Sequence, residues 1–195
     1  MKKLLALVLA LVMSMSLVTI SNAAFKDADK IDYKEAVDVM NAVGVFVGDE
    51  KGNFNAKENL TREQAAKIIA YMQLGKDKAD SLKCTVAPFE DVAATRWSAG
   101  YIAYCVEQGI IDGMTETTFE PTGKLTGFQW AKMLLCAVGF GVKGEFTGSS
   151  WSVNTALVAH KVNLFAGDLD GADHTALRRE QAALYAFNAL SLIHI

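Results

Sequence analysis

The sequence predicts an all-α protein made of three tandem helix-loop-helix units, and three observations carry that expectation. A leucine-led phrase occurs three times: Leu60-Thr61-Arg62-Glu63-Gln64-Ala65, Leu125-Thr126-Gly127-Phe128-Gln129-Trp130 and Leu177-Arg178-Arg179-Glu180-Gln181-Ala182. Gly48, Gly113 and Gly167 precede those leucines by 12, 12 and 10 residues, a regularity that one non-repetitive helical domain leaves unexplained. Between glycine and leucine lie clusters of turn-forming residues, such as Asp49 to Phe54, Thr115 to Phe119 with Pro121, and Asp168 to Asp173.

The first element is a secretory signal over residues 1–23. Lys2 and Lys3 precede an apolar run from Leu4 to Met13, and Ser21-Asn22-Ala23 supplies small residues for cleavage. An uncleaved anchor and a buried helix are the alternatives. No later stretch approaches about 18 uninterrupted apolar residues, so the remainder is not expected to span a bilayer. Cleavage after Ala23 leaves 172 of the 195 residues, with 17 Lys plus Arg against 22 Asp plus Glu and a formal charge of −5. That length buries a substantial core. The acidic balance lacks the concentrated basic surface that nonspecific nucleic-acid binding needs, so no nucleic-acid partner is expected.

Residues 24–195 then divide into units of about 24–75, 88–140 and 145–195. The first opens with Phe25-Lys26-Asp27, and Ala36, Val37, Met40, Val43 and Val47 form an apolar stripe at helical spacing. Gly44 weakens or ends that helix. The second opens with Phe89-Glu90-Asp91 and repeats the stripe in Tyr101, Ile102, Cys105, Val106 and Ile110. The third begins less distinctly near Glu145-Phe146, with Ala156, Leu157, Val158, Val162 and Leu164 as its stripe. Trp97 and Trp151 each precede their unit's glycine by 16 residues. Polar linkers from Gly75 to Pro88 and Val142 to Ser150 read as surface connections. A single helix pair is too small to bury its own apolar face, so the units must pack on one another or on a partner.

The repeated phrase starts each second helix. Thr61 with Gln64, and Thr126 with Gln129, have the spacing of a capping box. Arg178 stands at the third cap position, which predicts a less cleanly started helix or an earlier turn from Thr175. Glu63 and Glu180 suit the positive end of a helix dipole, whereas Arg62 and Arg179 do not. Two accounts of the arginines stay open. Each pairs with an acidic residue of the adjacent unit, or each joins the helix's open backbone donors in receiving a ligand carboxylate, for which a guanidinium fork is suited.

With these motifs in order, the chain resembles the S-layer homology domain, a module that attaches bacterial surface proteins noncovalently to the cell wall. The resemblance implies a pseudo-threefold body of three repeats. Its grooves would bind a secondary cell-wall polysaccharide or a peptidoglycan-linked acidic glycan, often carrying pyruvate ketals. It makes Arg62 and Arg179 the carboxylate contacts, Trp97 and Trp151 platforms for sugar faces, and Gly48, Gly113 and Gly167 points of close backbone approach. Packing at the first helix, for the tryptophans, and helix termination, for the glycines, explain the same residues structurally. Asp27 and Asp91 are expected to brace neighbouring helices. Gly127 and Phe128 replace the charged pair in the second unit, so fewer competent grooves than repeats are expected. The implied localisation is secreted, at the cell wall or cell surface.

Other chemistries lack support. Asp168, Asp170 and Asp173 do not follow the order of a calcium loop, and His160, His174 and His194 show no zinc-site spacing with Cys84, Cys105 and Cys136. Cys105 and Cys136 read as buried thiols, with one bridge involving Cys84 as the alternative. No nucleophile elbow or phosphate loop occurs, so no enzyme activity and no cofactor are expected. The alternatives to glycan binding are a structural surface module that packs against another surface protein, and the N-terminal fragment of a longer surface enzyme. "NALSLIHI" falls in the last expected helix, leaving both a truncated copy and a short standalone anchor open.

Overall fold

A computed structural model describes residues 25–172 and 175–192. The expected signal over 1–23, together with Asp173, His174 and Ile193-His194-Ile195, lies outside the described residues. The regular structure described is helical, with only isolated β-bridges beside it. The first helices of the three units are α1 (Lys34–Ala42), α4 (Ala99–Glu107) and α6 (Trp151–Lys161). The second helices are α2 (Arg62–Leu74), α5 (Gly127–Ala137) and α7 (Arg179–Ser191). A short helix, α3 (Lys76–Asp80), lies in the first linker, and Ala28–Lys30 forms one 3-10 turn.

Local chemistry sets these boundaries. After α1 the chain turns left-handed at Gly44 (φ +74°), and the Gly44 and Val45 N–H groups return to the Asn41 and Met40 carbonyls. Gly109 and Asn163 end α4 and α6 in the same way. Gly48 and Gly113 therefore do not end helices; they are glycine because no side chain fits. A Cβ on Gly48 would lie 2.7 Å from the Phe25 ring, and one on Gly113 would lie 2.3 Å from the Thr115 carbonyl and 2.7 Å from Phe89.

The second helices begin as their cap residues dictate. Thr61 Oγ1 accepts the Gln64 N–H (3.4 Å) and Gln64 Oε1 accepts the Thr61 N–H (3.0 Å). Thr126 and Gln129 repeat the pair at 3.3 and 2.9 Å. In the third unit only half of this is made, Gln181 Oε1 accepting the Arg178 N–H at 3.1 Å, because arginine carries no acceptor. The helix still starts at Arg179, so the earlier turn from Thr175 is not used.

The three leucines of the repeated phrase meet at the centre. Leu60 N–H donates to the Leu177 carbonyl (3.0 Å), Leu177 N–H to that of Leu125 (2.8 Å), and Leu125 N–H to that of Leu60 (2.9 Å). The ring is closed, and all three side chains are buried. Bridges between Asn59 and Arg178, Thr61 and Lys124, and Thr126 and Ala176 flank it.

Around this hub each first helix packs on the second helix of the preceding unit: α4 on α2, α6 on α5 and α1 on α7. The second helices meet in the middle, α5 touching both α2 and α7. Trp130, wholly buried on α5, donates its indole N–H to the Ala182 carbonyl of α7 (3.0 Å). One continuous core runs through all three units. The stripe expected in the third unit is displaced: Leu157 is 66% exposed, and Thr155 and Ala159 are the buried positions of α6. Cys105 is buried and Cys84 and Cys136 are half-buried; all three are free thiols. Burial pushes the Cys105 thiol up to about 12.

Two carboxylates tie elements together through phenols. Asp168 accepts from Tyr33 Oη (2.8 Å) and from Tyr185, joining the third unit to the first. Asp80 on α3 accepts from Tyr71 (2.5 Å) and Tyr101 (2.8 Å) and pairs with Lys76 (2.6 Å), so the linker is pinned to the body and Ala79 is buried. Burial raises the Asp80 carboxyl, but the hydrogen bonds from Lys76, Tyr71 and Tyr101 outweigh it and hold it at about 2.

Because helices are exchanged around a ring, the chain should unfold as one unit. Urea transitions followed by far-UV circular dichroism and by tryptophan fluorescence are expected to coincide, and Leu125→Ala to lower stability by about 3 kcal/mol in both signals. Separate transitions for the two probes would contradict the ring. The Asp80 clamp stabilises above the ordinary carboxylate range and is lost as pH falls towards about 2. Asp80→Asn should therefore flatten the decline in melting temperature between pH 4 and 2, measured by calorimetry.

Candidate functional site

The charged pair of the phrase meets a neighbouring unit. At the start of α2 the Arg62 and Glu63 N–H groups donate to the Gly123 and Pro121 carbonyls of the second unit, both at 3.0 Å. The Arg62 guanidinium follows: Nε donates to the Phe119 carbonyl (2.7 Å), Nη2 to that of Asp112 (2.9 Å), and its centre lies 4.5 Å from the Phe119 ring centroid. It is only 4% exposed. Glu63 receives Arg96 through both Nε (2.8 Å) and Nη2 (2.9 Å), and Ser98 Oγ at 2.6 Å. The first-turn amides expected to be open are thus occupied by backbone, since a buried N–H left without a partner is costly.

The third unit repeats this docking on the first. Arg179 and Glu180 N–H groups donate to Glu58 and Ala56 carbonyls, and the buried Glu180 carboxylate takes the Asp32 N–H (2.8 Å) and Lys57 Nζ (2.6 Å). Arg179 differs from Arg62 in reach. Its Nη2 donates to the Val47 carbonyl (2.6 Å) and its plane lies over Phe54 (5.1 Å), yet it remains half-buried and lines a cavity of about 270 Å³. Burial lowers its pKa while Glu58 and Asp49 pull the other way, and the guanidinium stays charged.

That cavity brings together Arg179, Gly48 and Trp97, three of the residues singled out in the sequence and one from each unit. Asp27 shapes its floor by accepting the Phe54 and Asn55 N–H groups at 2.7 and 2.8 Å, so its role is to brace the loop; Asp91 does the same for Phe119 and Glu120. Lys67 and Gln64 enter from α2. The Lys67 ammonium lies 5.2 Å from the Tyr71 ring centroid and 5.9 Å from those of Trp97 and Tyr101, with no ion pair among the described residues. Trp97 is 53% exposed, its indole one wall of the opening. A cation held over aromatic faces beside a guanidinium presents positive charge that can meet an anionic group.

Arg62, Gly113 and Trp151 fall into an equivalent arrangement one unit on. Lys132 on α5 lies 5.9 Å from the Trp151 ring centroid, and its Nζ pairs with Asp112 at 2.8 Å. Gly167 stands alone of the set: Gly127 supplies no arginine, Leu184 replaces the lysine, and Phe128 packs edge-on against Phe165. Among the described residues no group of three or more His, Cys, Asp or Glu could hold a metal ion.

Residues 24–66 and 88–131 match the family model for the S-layer homology domain. These two stretches are S-layer homology repeats. The chain is 36% identical over 138 residues to the surface-layer 125 kDa protein of Lysinibacillus sphaericus, covering 70% of this chain and 11% of that protein. It is 26% identical over 170 residues to the surface layer protein of Brevibacillus choshinensis, covering 84% and 15%. A cellulosome-anchoring protein of Acetivibrio thermocellus is 34% identical over 80 residues, covering 41% and 18%. The chain thus spans less than a fifth of the length of each of these relatives.

Within this S-layer homology framework, sequence reasoning missed Lys67, Lys132 and Asp112. A signal was present: Lys67 and Lys132 both follow the repeated leucine by seven residues, and Leu184 holds that place in the third unit. Seven residues is about two helical turns, which sets the lysine on the same face as the phrase. Asp112 was hidden because its counterpart is the apolar Val47, each preceding its unit's glycine.

Arg62→Ala is expected to destabilise the protein by about 2–3 kcal/mol, because two carbonyls lose a charged donor inside a unit interface. Urea denaturation measures this, and a variant as stable as the parent would mean that the Arg62 bonds contribute nothing net.

Proposed function

We propose that this protein is anchored noncovalently to the bacterial cell wall by binding an acidic secondary cell-wall polysaccharide, with a pyruvate ketal as the carboxylate recognised. The observation that carries this reading is the cavity where Arg179, Lys67, Gly48 and Trp97 converge. Arg179 and Lys67 offer charge to a carboxylate, Gly48 contributes backbone to the cavity wall, and the exposed Trp97 face is suited to a sugar's C–H surface. The relatives named as surface-layer and anchoring proteins support a role at the wall. On this reading residues 1–23 direct secretion, and residues 145–195 form a third, diverged repeat that supplies Arg179. Arg62, Trp151 and Gly113 belong to a second groove and Gly167 to a third, and neither matches the first in its free charge.

Purified wall sacculi provide the test, used before and after the acidic polysaccharide is stripped. Retention should fall at least tenfold on stripped walls, and Trp97→Ala and Lys67→Gln should each weaken retention on intact walls by about tenfold. Their melting temperatures should stay close to the parent's, since Trp97 is exposed and Lys67 makes no ion pair among the described residues. Equal retention on intact and stripped walls would sink the reading in favour of packing against a protein.

A further inference from the structure

The first and second grooves share one backbone plan. Arg179 Nη2 donates to the carbonyl of Val47, just before Gly48, and Arg62 Nη2 to the carbonyl of Asp112, just before Gly113. Lys67 and Lys132 each lie 5.9 Å from the ring centroid of the next unit's tryptophan, Trp97 or Trp151. Glu120 and Gly123 stand where the first groove's lining has Asn55 and Glu58, but among the arginine, lysine, tryptophan and pre-glycine positions only the last differs between the two grooves. Where the first groove has the Val47 side chain, the second has a carboxylate, and it pairs with Lys132 at 2.8 Å.

We propose that Asp112 is a built-in competitor for the second groove, occupying the lysine that an acidic glycan would need and so directing the ligand to the first groove alone. This rests on the glycan reading above and adds to it which groove is used and what decides the choice. Acidic residues line the first groove too, but they are placed differently. Asp49 is tied to its own turn by the Lys51 and Asn53 N–H groups and the Asn53 and Asn55 side-chain amides, and Glu58 lies on the same wall. Neither pairs with Lys67. In the second groove the carboxylate sits on the ammonium itself, so a ligand carboxylate meets a neutralised cation and a like charge 2.8 Å beyond it. Asp112 is more than half exposed, so its pair with Lys132 adds little to folding and can be removed without harm to the body.

The three tryptophans make the proposal testable site by site. Trp97 reports on the first groove, Trp151 on the second, and buried Trp130 on the fold. The full chain, labelled with nitrogen-15 on the indoles, would be titrated with a methyl 4,6-O-pyruvylated hexopyranoside and followed by NMR. In the parent only the Trp97 indole should move. In Asp112→Val, which places the first groove's residue at that position, Trp151 should move as well, with half-saturation up to about tenfold above that of Trp97 because Arg62 is more enclosed than Arg179 and Glu120 adds a like charge. Val47→Asp should weaken the Trp97 response at least tenfold by installing the competitor there. An unmoved Trp130 resonance marks each variant as folded. The proposal is overturned if Trp151 responds in the parent as strongly as Trp97, or stays still in Asp112→Val while Trp97 titrates. If neither indole moves in the parent or in any variant, the glycan reading itself falls.

Discussion

Three backbone hydrogen bonds, from Leu60 to Leu177, from Leu177 to Leu125 and from Leu125 to Leu60, fix where every second helix begins. Each leucine gives its N–H to one neighbour and its carbonyl to the other, so no unit can be satisfied unless both others are present. The side chains are buried around the same point, where a lost main-chain partner would leave a polar group without water. The cap residues stand one position after each leucine, the docked arginines two after Leu60 and Leu177, and the crossing of the helices follows from these starts. Their register is inherited from this ring.

The phrase that follows the leucine acts on two scales. Thr and Gln close the helix start within a unit, while Arg and Glu reach into the next, Arg62 and Glu63 to the second unit and Arg179 and Glu180 to the first. The same arginine position is therefore structural in one place and a cavity wall in another. What separates the two is enclosure: Arg62 meets two carbonyls and one ring and is buried, whereas Arg179 meets one carbonyl and the rings of Phe46 and Phe54, is half-buried and lines the cavity. The charge that suits a ligand is the charge that also joins units.

Much of the architecture was legible. The helix pairs follow from apolar spacing, the two complete capping boxes from Thr and Gln three residues apart, and the joining of units from the incompleteness of any one. The third unit's buried stripe was misread, because Leu157 looks like core in sequence and Thr155 does not; a threonine hydroxyl is buried there by bonding the Trp151 carbonyl one turn back (2.7 Å). Of the candidate site, Arg179, Gly48 and Trp97 were legible as recurrent positions, but not that they share a cavity, since one comes from each unit. Lys67 and Asp112 were not singled out: a lone lysine in a helix and an aspartate before a glycine look like ordinary surface until partner helices bring them to a groove.

The exchange of first helices around a closed ring also bears on how such a protein can change over generations. In an open stack of repeats, a copy can be gained or lost at an end because each copy touches only its neighbours in line. Here α1 lies on α7, so the beginning and the end of the body are themselves neighbours. A fourth copy would have no place to enter and a missing one would leave two exposed faces. The closed ring has no free end onto which another unit could stack in line. Each groove draws on three units at once, so a residue such as Gly127 in the middle phrase shapes a groove in another unit while leaving its own helix start intact.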